Sequence, residues 1–291
     1  MEIGKLYEII DEYWKDFINK KELKGVCNDS IPIIWFGDIK SYFLSDIKTV
    51  TIGLNPSNSE FMNDNKEKDL TFRFNEAKEF IDKEFLDNND KDELIAMYNK
   101  YFKKNPYYTK WFQYYDKKVL ELLACEQGYD VGYNTKYDNV SHKNTAIHID
   151  CYSAIATDPV WSGLTTDGQY KETVEKLKNL RLFIKFLEYL NPDVILFSCA
   201  YDSFFESMKM YDENVELIPD VCQVDDYPKH KGNINSFIIR DKLVIHGRYK
   251  STPFTPISDV EKKEIFEKIF RTYIRECDEC GSERITRWKR R

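Results

Sequence analysis

Lys48-Thr49-Val50-Thr51-Ile52-Gly53-Leu54-Asn55-Pro56-Ser57 is the stretch whose reading decides the fold. Its first half is β-branched and apolar, which predicts a strand over 48–54. Gly53 lets a backbone or a ligand approach closely. Asn-Pro turns the chain and leaves the Asn55 side chain at the strand tip. Val194 to Ser198 is a continuous apolar run, the pattern of a parallel strand buried on both faces. Ala146 to Ile149 is a further strand, leading into Asp150. Ile234 to Ile239 and Leu243 to His246 complete the set.

Helical patterns alternate with these strands. Leu6, Ile9, Ile10, Tyr13, Trp14, Phe17 and Ile18 share one helical face. A long helix is predicted over Lys171 to Leu190, stopped by Asn191-Pro192. Another is predicted over Tyr201 to Met210. Ser258 and Glu261 form a capping box for a last helix ending near Arg275. Ile31 to Phe36 is a short apolar run. Strands alternating with helices predict an α/β fold: three layers, α/β/α, around a central, mainly parallel sheet. Residues 60–140 read as a helical and loop insertion within a single domain spanning 1–291. In it Leu94, Met97, Tyr98, Tyr101 and Phe102 share a face, as do Trp111, Phe112, Tyr115, Val119 and Leu122.

Composition sets bounds. The 291 residues carry 42% hydrophobic and 15% aromatic residues, enough for a large core. No apolar run reaches the ~20 residues that span a bilayer. The opening Met1-Glu2-Ile3-Gly4-Lys5 lacks the basic-then-apolar order of a signal peptide, so a cytoplasmic protein without membrane contact is expected. Seven scattered cysteines suit that compartment. Cys277-Asp278-Glu279-Cys280 has metal-ligand spacing, but a structural zinc needs four ligands, so Cys27 or a histidine would have to complete it. No metal or organic cofactor is expected. The net charge of −7 argues against a surface coated for nucleic acid but leaves room for a local basic path. The tail at 276–291, with Arg284, Arg287, Lys289, Arg290 and Arg291, is either a solvated terminus or a nucleic-acid arm.

Ligands of open parallel sheets bind beyond the carboxyl ends of the strands. That rule selects the segments starting at Asn55, Asp150 and His246. There is no Gly-rich phosphate loop and no nucleophile elbow. The first segment, Gly53-Leu54-Asn55-Pro56-Ser57, resembles the first motif of the uracil-DNA glycosylase superfamily, in particular its mismatch-specific, thymine-DNA glycosylase-like branch. The resemblance covers about residues 30–60 and 145–275.

It implies a uracil-DNA glycosylase-like fold and a monofunctional DNA glycosylase, which flips a nucleotide and hydrolyses its N-glycosidic bond to leave an abasic site. It places Asn55 as the residue that positions the attacking water. His246, in Leu243-Val244-Ile245-His246-Gly247-Arg248, would stabilise charge developing on the departing base. Here Gly247 follows the histidine where the family has proline. Arg248, Lys250, Ser251 and Thr252 on the following loop, with Ser57, would meet DNA. Gly53 and Leu54 would border the base, Phe72, Phe74 or Phe61 would stack on it, and Trp161 with Ser162 would wall the pocket. Core packing is the alternative use of each phenylalanine. Arg73, Lys110 and Arg181 are further candidates for phosphates, or simply solvated charges.

At the second strand end the family has an asparagine that reads the base edge, and this chain has Asp150. An ionised carboxylate offers acceptors only, which matches an exocyclic amino group. The departure favours a cytosine-type base over uracil, unless Asp150 merely caps a turn. Some members of the superfamily act in bacterial phage defence by removing glucosylated hydroxymethylcytosine, and the large insertion suits such a base. The alternatives are a housekeeping uracil or mismatch-repair glycosylase and a non-catalytic DNA-binding protein on the same fold. The resemblance implies DNA as the partner, and a monomer is expected.

Overall fold

The computed structural model describes residues 1–27, 29–45, 47–62, 77–104, 112, 140–212, 233–249, 252–253, 264 and 268–269. The elements are α1 (Ile3–Lys20), α2 (Ile39–Leu44), β1 (Thr49–Gly53), α3 (Asn88–Lys104), β2 (Ile147–Asp150), α4 (Trp161–Thr166), α5 (Lys171–Leu177), α6 (Leu180–Leu190), β3 (Val194–Phe197), α7 (Tyr201–Tyr211), β4 (Asn233–Ile239), β5 (Lys242–Tyr249) and β6 (Thr252–Pro253). Short 3-10 turns occupy Asn58–Glu60, Ala77–Glu79 and Gly168–Tyr170. The fold is α/β. The strand order is β2-β1-β3-β5-β4, with β6 beside β5. The sheet is mixed and mostly parallel: β3 runs parallel to β5, while β4 and β6 run antiparallel to it.

The chain packs as two compact units: Met1–Leu44 with Ile52–Tyr107 and Ile147–Asn191, and Ser45–Thr51 with Tyr108–Ala146 and Pro192–Arg291. In the first unit, α1 buries Leu6, Ile9, Ile10, Tyr13, Trp14 and Phe17, the face its spacing predicts. α6 buries Leu182, Phe183, Phe186, Leu187, Tyr189 and Leu190. Phe186 is fully buried, with its ring 5.7 Å from Trp35 and 6.3 Å from Tyr13. α3 completes this core. Its Tyr98 stands edge-on to Trp35 at 4.8 Å, and its Tyr101 edge-on to Phe36 at 4.8 Å. The apolar run at 31–36 is buried throughout, and Phe36 exchanges backbone hydrogen bonds with His148 at 2.9 Å.

The expected single helix over 171–190 is two helices. Asn179 stands between them and accepts from Leu182 N at 3.3 Å as an N-cap. Its amide also donates to Asp16 Oδ1 at 2.8 Å, and its backbone N–H to Tyr152 O at 2.7 Å. A side chain that competes for backbone partners ends one helix and starts the next. α6 ends at Asn191, whose φ of 46° is the left-handed cap conformation, before Pro192.

In the second unit, β3 is buried along its length, as the continuous apolar run predicts. Thr51 Oγ1 lies 2.8 Å from His142 Nε2, both fully buried. Arg240 and Asp241, with φ of 48° and 63°, form the two-residue turn between β4 and β5. β5 is longer than Leu243–His246. It runs on to Tyr249 and pairs Arg248 with Pro253 and Tyr249 with Thr252. The loop expected directly after His246 is therefore the arm of a hairpin, because ladder pairing to β6 holds it extended. Glu264, Lys268 and Ile269 are helical, within the span expected for the last helix. Among the described residues, no helix is long and apolar enough to cross a membrane.

Replacing Phe186 by alanine removes the ring shared by α1, α6 and the 31–36 run. It is expected to lower stability by about 3–5 kcal/mol. Urea unfolding followed by circular dichroism measures this, and a loss under 1 kcal/mol would contradict the packing described.

Candidate functional site

The carboxyl ends of β1 and β2 are laced together by backbone bonds. Cys151 N–H donates to Gly53 O at 3.1 Å, and Tyr152 N–H and Ser153 N–H donate to Leu54 O at 3.0 and 3.3 Å. The lacing continues past the strands. Ser57 forms a parallel bridge with Thr157, and Asn58 Nδ2 donates to Asp158 Oδ1 at 3.1 Å. Residues 53–58 and 150–158 thus form one rigid border.

Asn55 sits half-buried in this border. Its Nδ2 donates to Pro56 O at 3.0 Å and to Thr157 Oγ1 at 3.1 Å. A backbone carbonyl only accepts, so the atom facing Pro56 O must be the amide nitrogen. The side chain's orientation is thereby fixed. Oδ1 accepts no hydrogen bond among the described residues and remains available as an acceptor.

Ser57 does not point away from this loop. Its Oγ accepts from Ser59 N at 3.2 Å as the cap of the Asn58–Glu60 turn, and lies 2.6 Å from Ser59 Oγ. Glu60, which ends that turn, is buried and accepts from Tyr101 Oη at 2.8 Å. Phe61 follows and is a core residue.

Asp150 ends β2 and is buried. His148 Nε2 lies 3.4 Å from its Oδ1. Oδ2 has no hydrogen-bond partner among the described residues. A buried carboxylate oxygen without a donor is costly and rare, which makes Asp150 Oδ2 a candidate contact for a ligand. Gly53 makes room for this group. A Cβ at residue 53 would stand 2.5 Å from Asp150 Oδ1 and 3.1 Å from His148 Nε2. Tyr13 on α1 also belongs to this surrounding. Burial above all, then the charges of Asp16, Asp150 and Cys151, push its phenol upward and keep it protonated.

Trp161 opens α4 and is buried, its ring 5.6 Å from that of Tyr152. Lys178 Nζ lies 4.3 Å from the Tyr152 ring centroid. Ser162 and Arg181 are exposed. The first unit thus brings together Gly53, Leu54, Asn55, Ser57 and Asp150, with Trp161 attached through Tyr152.

His246 belongs to the second unit. It stands within β5, opposite Phe197 on one side and Asn235 on the other, rather than at a strand end. Its Nε2 lies 2.9 Å from Cys199 O, so this nitrogen carries the proton. The rings of Tyr201 and Phe204 flank it at 5.4 and 5.0 Å. Arg248 and Thr252 lie on the β5–β6 ladder. Phe72, Phe74, Arg73, Lys110, Lys250, Ser251, Cys277, Cys280 and the basic tail lie outside the described residues. Among the described residues, no three His, Cys, Asp or Glu side chains are grouped to hold a metal ion.

Two residues of this site went unread in the sequence. His148 could have been found, because period-two alternation puts it on the same face of β2 as Asp150. Thr157 carries no signal: its contact with Asn55 spans 102 residues.

Compared with protein-family models, curated proteins and solved structures, the chain finds no match in any of the three.

Gly53→Ala is expected to displace the Asp150 carboxylate and to lower stability by about 1–3 kcal/mol, the usual range for overpacking. A crystal structure of the variant with the carboxylate unmoved would show that the clearance at Gly53 is not needed.

Proposed function

We propose that the chain is a monofunctional DNA glycosylase on a three-layer, uracil-DNA glycosylase-like fold. It would act on a flipped, amino-bearing base of the cytosine type. The observation that carries the reading is the fixed amide of Asn55: both its donor contacts are to the protein, and its carbonyl oxygen is left as an acceptor at a strand tip.

In the proposed reaction, Asn55 Oδ1 accepts a hydrogen bond from water and aims the water oxygen at C1′. The C1′–N bond breaks, and its electron pair leaves with the base. The water oxygen bonds to C1′ and its proton is released to solvent. An amide is too weak a base to take that proton, so the role is orientation. Asp150 supports the choice of base. Its Oδ2, without a partner among the described residues, can accept from the exocyclic amino group at the 4-position of cytosine, where uracil's O4 would face it with a second acceptor.

The family resemblance assigns His246 to the departing base, Trp161 to the pocket wall, and Arg248, Lys250, Ser251 and Thr252 to DNA. The resemblance gives Lys250 to DNA and assigns no lysine to a Schiff base, so the proposed product is an abasic site without strand cleavage. A bulky base such as glucosylated hydroxymethylcytosine, and with it a role in anti-phage defence, is the substrate to test first.

Duplexes carrying uracil, a thymine mismatch, hydroxymethylcytosine or its glucosylated form, heated in alkali after incubation, decide the substrate. Cleavage at a modified cytosine supports the reading, and cleavage at uracil alone would leave the housekeeping alternative. Asn55→Ala is expected to slow base release by about a hundredfold or more while DNA binding, followed by fluorescence anisotropy, changes little. Full activity of that variant would remove Asn55 from the mechanism.

A further inference from the structure

His148 and Asp150 lie two residues apart on β2, so their side chains leave the same face. Both are nearly inaccessible, at 5% and 3%. The imidazole is immobilised from behind. Its ring packs 5.5 Å from that of Phe36, and its backbone exchanges two hydrogen bonds with Phe36. Its Nε2 faces one carboxylate oxygen of Asp150 at 3.4 Å. The other oxygen has no partner among the described residues. The clearance at Gly53 serves both groups, since a Cβ there would crowd the carboxylate and the imidazole alike. The two oxygens of Asp150 are therefore unequal: one lies 3.4 Å from the His148 imidazole, and the other has no partner among the described residues.

We infer that His148 is a positioning residue that sets the plane of the Asp150 carboxylate and so selects an amino-bearing base. The inference rests on the glycosylase reading of this site. With Oδ1 turned to His148, Oδ2 is a single acceptor of fixed direction. An exocyclic N–H meets it, and a carbonyl oxygen in the same place is repelled. Without the imidazole, the carboxylate rotates about χ2, and both its direction and its power to discriminate are lost. His148 touches no reacting atom. Its effect is on which base is held rather than on how fast the bond breaks.

Two variants of the full chain test this. His148→Phe keeps a planar ring against Phe36 and removes the donor. His148→Gln returns an amide N–H at a similar reach. The reading is the kcat/KM ratio for hydroxymethylcytosine over uracil duplexes, with urea midpoints as a check on folding. The ratio should fall about tenfold in the phenylalanine variant, through KM for the amino-bearing duplex, and recover in the glutamine variant. An unchanged ratio in a folded His148→Phe chain overturns the inference, as does a loss confined to kcat and equal for both bases.

A second arm needs no activity. In a crystal structure of His148→Phe, the Asp150 carboxylate should be turned about χ2 from its orientation in the unsubstituted chain. An unmoved carboxylate means that His148 does not set its plane. Should the unsubstituted chain release no base from any duplex, the glycosylase reading falls, and the carboxylate orientation still decides the role of His148.

Discussion

Asp150 Oδ1 lies 2.5 Å from the point where a side chain at residue 53 would begin. No Cβ contact is that short, so the end of β2 can hold a carboxylate over β1 only because residue 53 is glycine. The consequences spread in both directions. Toward the loop, the close approach lets Gly53 O and Leu54 O receive the N–H groups of 151–153. That register delivers Thr157 to Asn55 and Asp158 to Asn58. Toward the core, it leaves His148 and Asp150 side by side, and the Asp150 charge, after burial and Asp16, helps hold the Tyr13 phenol in its neutral form.

Such an arrangement is expensive for stability alone. A hydrophobic pair at 148 and 150 would pack against Phe36 with no polar atom to satisfy. The chain instead keeps a carboxylate oxygen buried and without a donor. Elsewhere in the same unit, polar side chains are partnered. Tyr98 donates to Pro32 O, Tyr101 to Glu60, and Asn179 to Asp16. Among the described residues, buried oxygens without a partner also occur at Thr49, Ser198 and Ser236, but those are neutral hydroxyls, and Asp150 is the carboxylate among them.

How much of this could be read from the sequence depends on the range of the forces involved. β1, β3 and α7 were legible because their patterns are local: a β-branched stretch, a continuous apolar run, and apolar residues at helical spacing. The break between α5 and α6 was not, although Asn179 is a cap-forming residue. Its preference is expressed through Asp16 and Tyr152, which are remote in the chain. The extension of β5 past His246 depends on pairing with β6, which single-strand periodicity does not reveal. In the site, Asn55 and Asp150 were visible from their place after buried strands. Thr157 was invisible, because nothing about an isolated threonine says that it will orient an amide.

The fixed amide also constrains what chemistry the site can support. An aspartate at residue 55 could not occupy this geometry unchanged, because a carboxylate facing Pro56 O would set acceptor against acceptor. Asn is therefore the residue that this loop can hold still, and holding it still exposes one neutral acceptor. A neutral acceptor aligns water without creating a strong nucleophile. In the proposed glycosylase reaction, bond breaking is then driven by departure of the base, with charge building on the sugar before water commits. In that proposal the grip on the base matters more than the strength of the nucleophile. The His148–Asp150 pair, locked by Phe36 and cleared by Gly53, is the part of this border built with that rigidity.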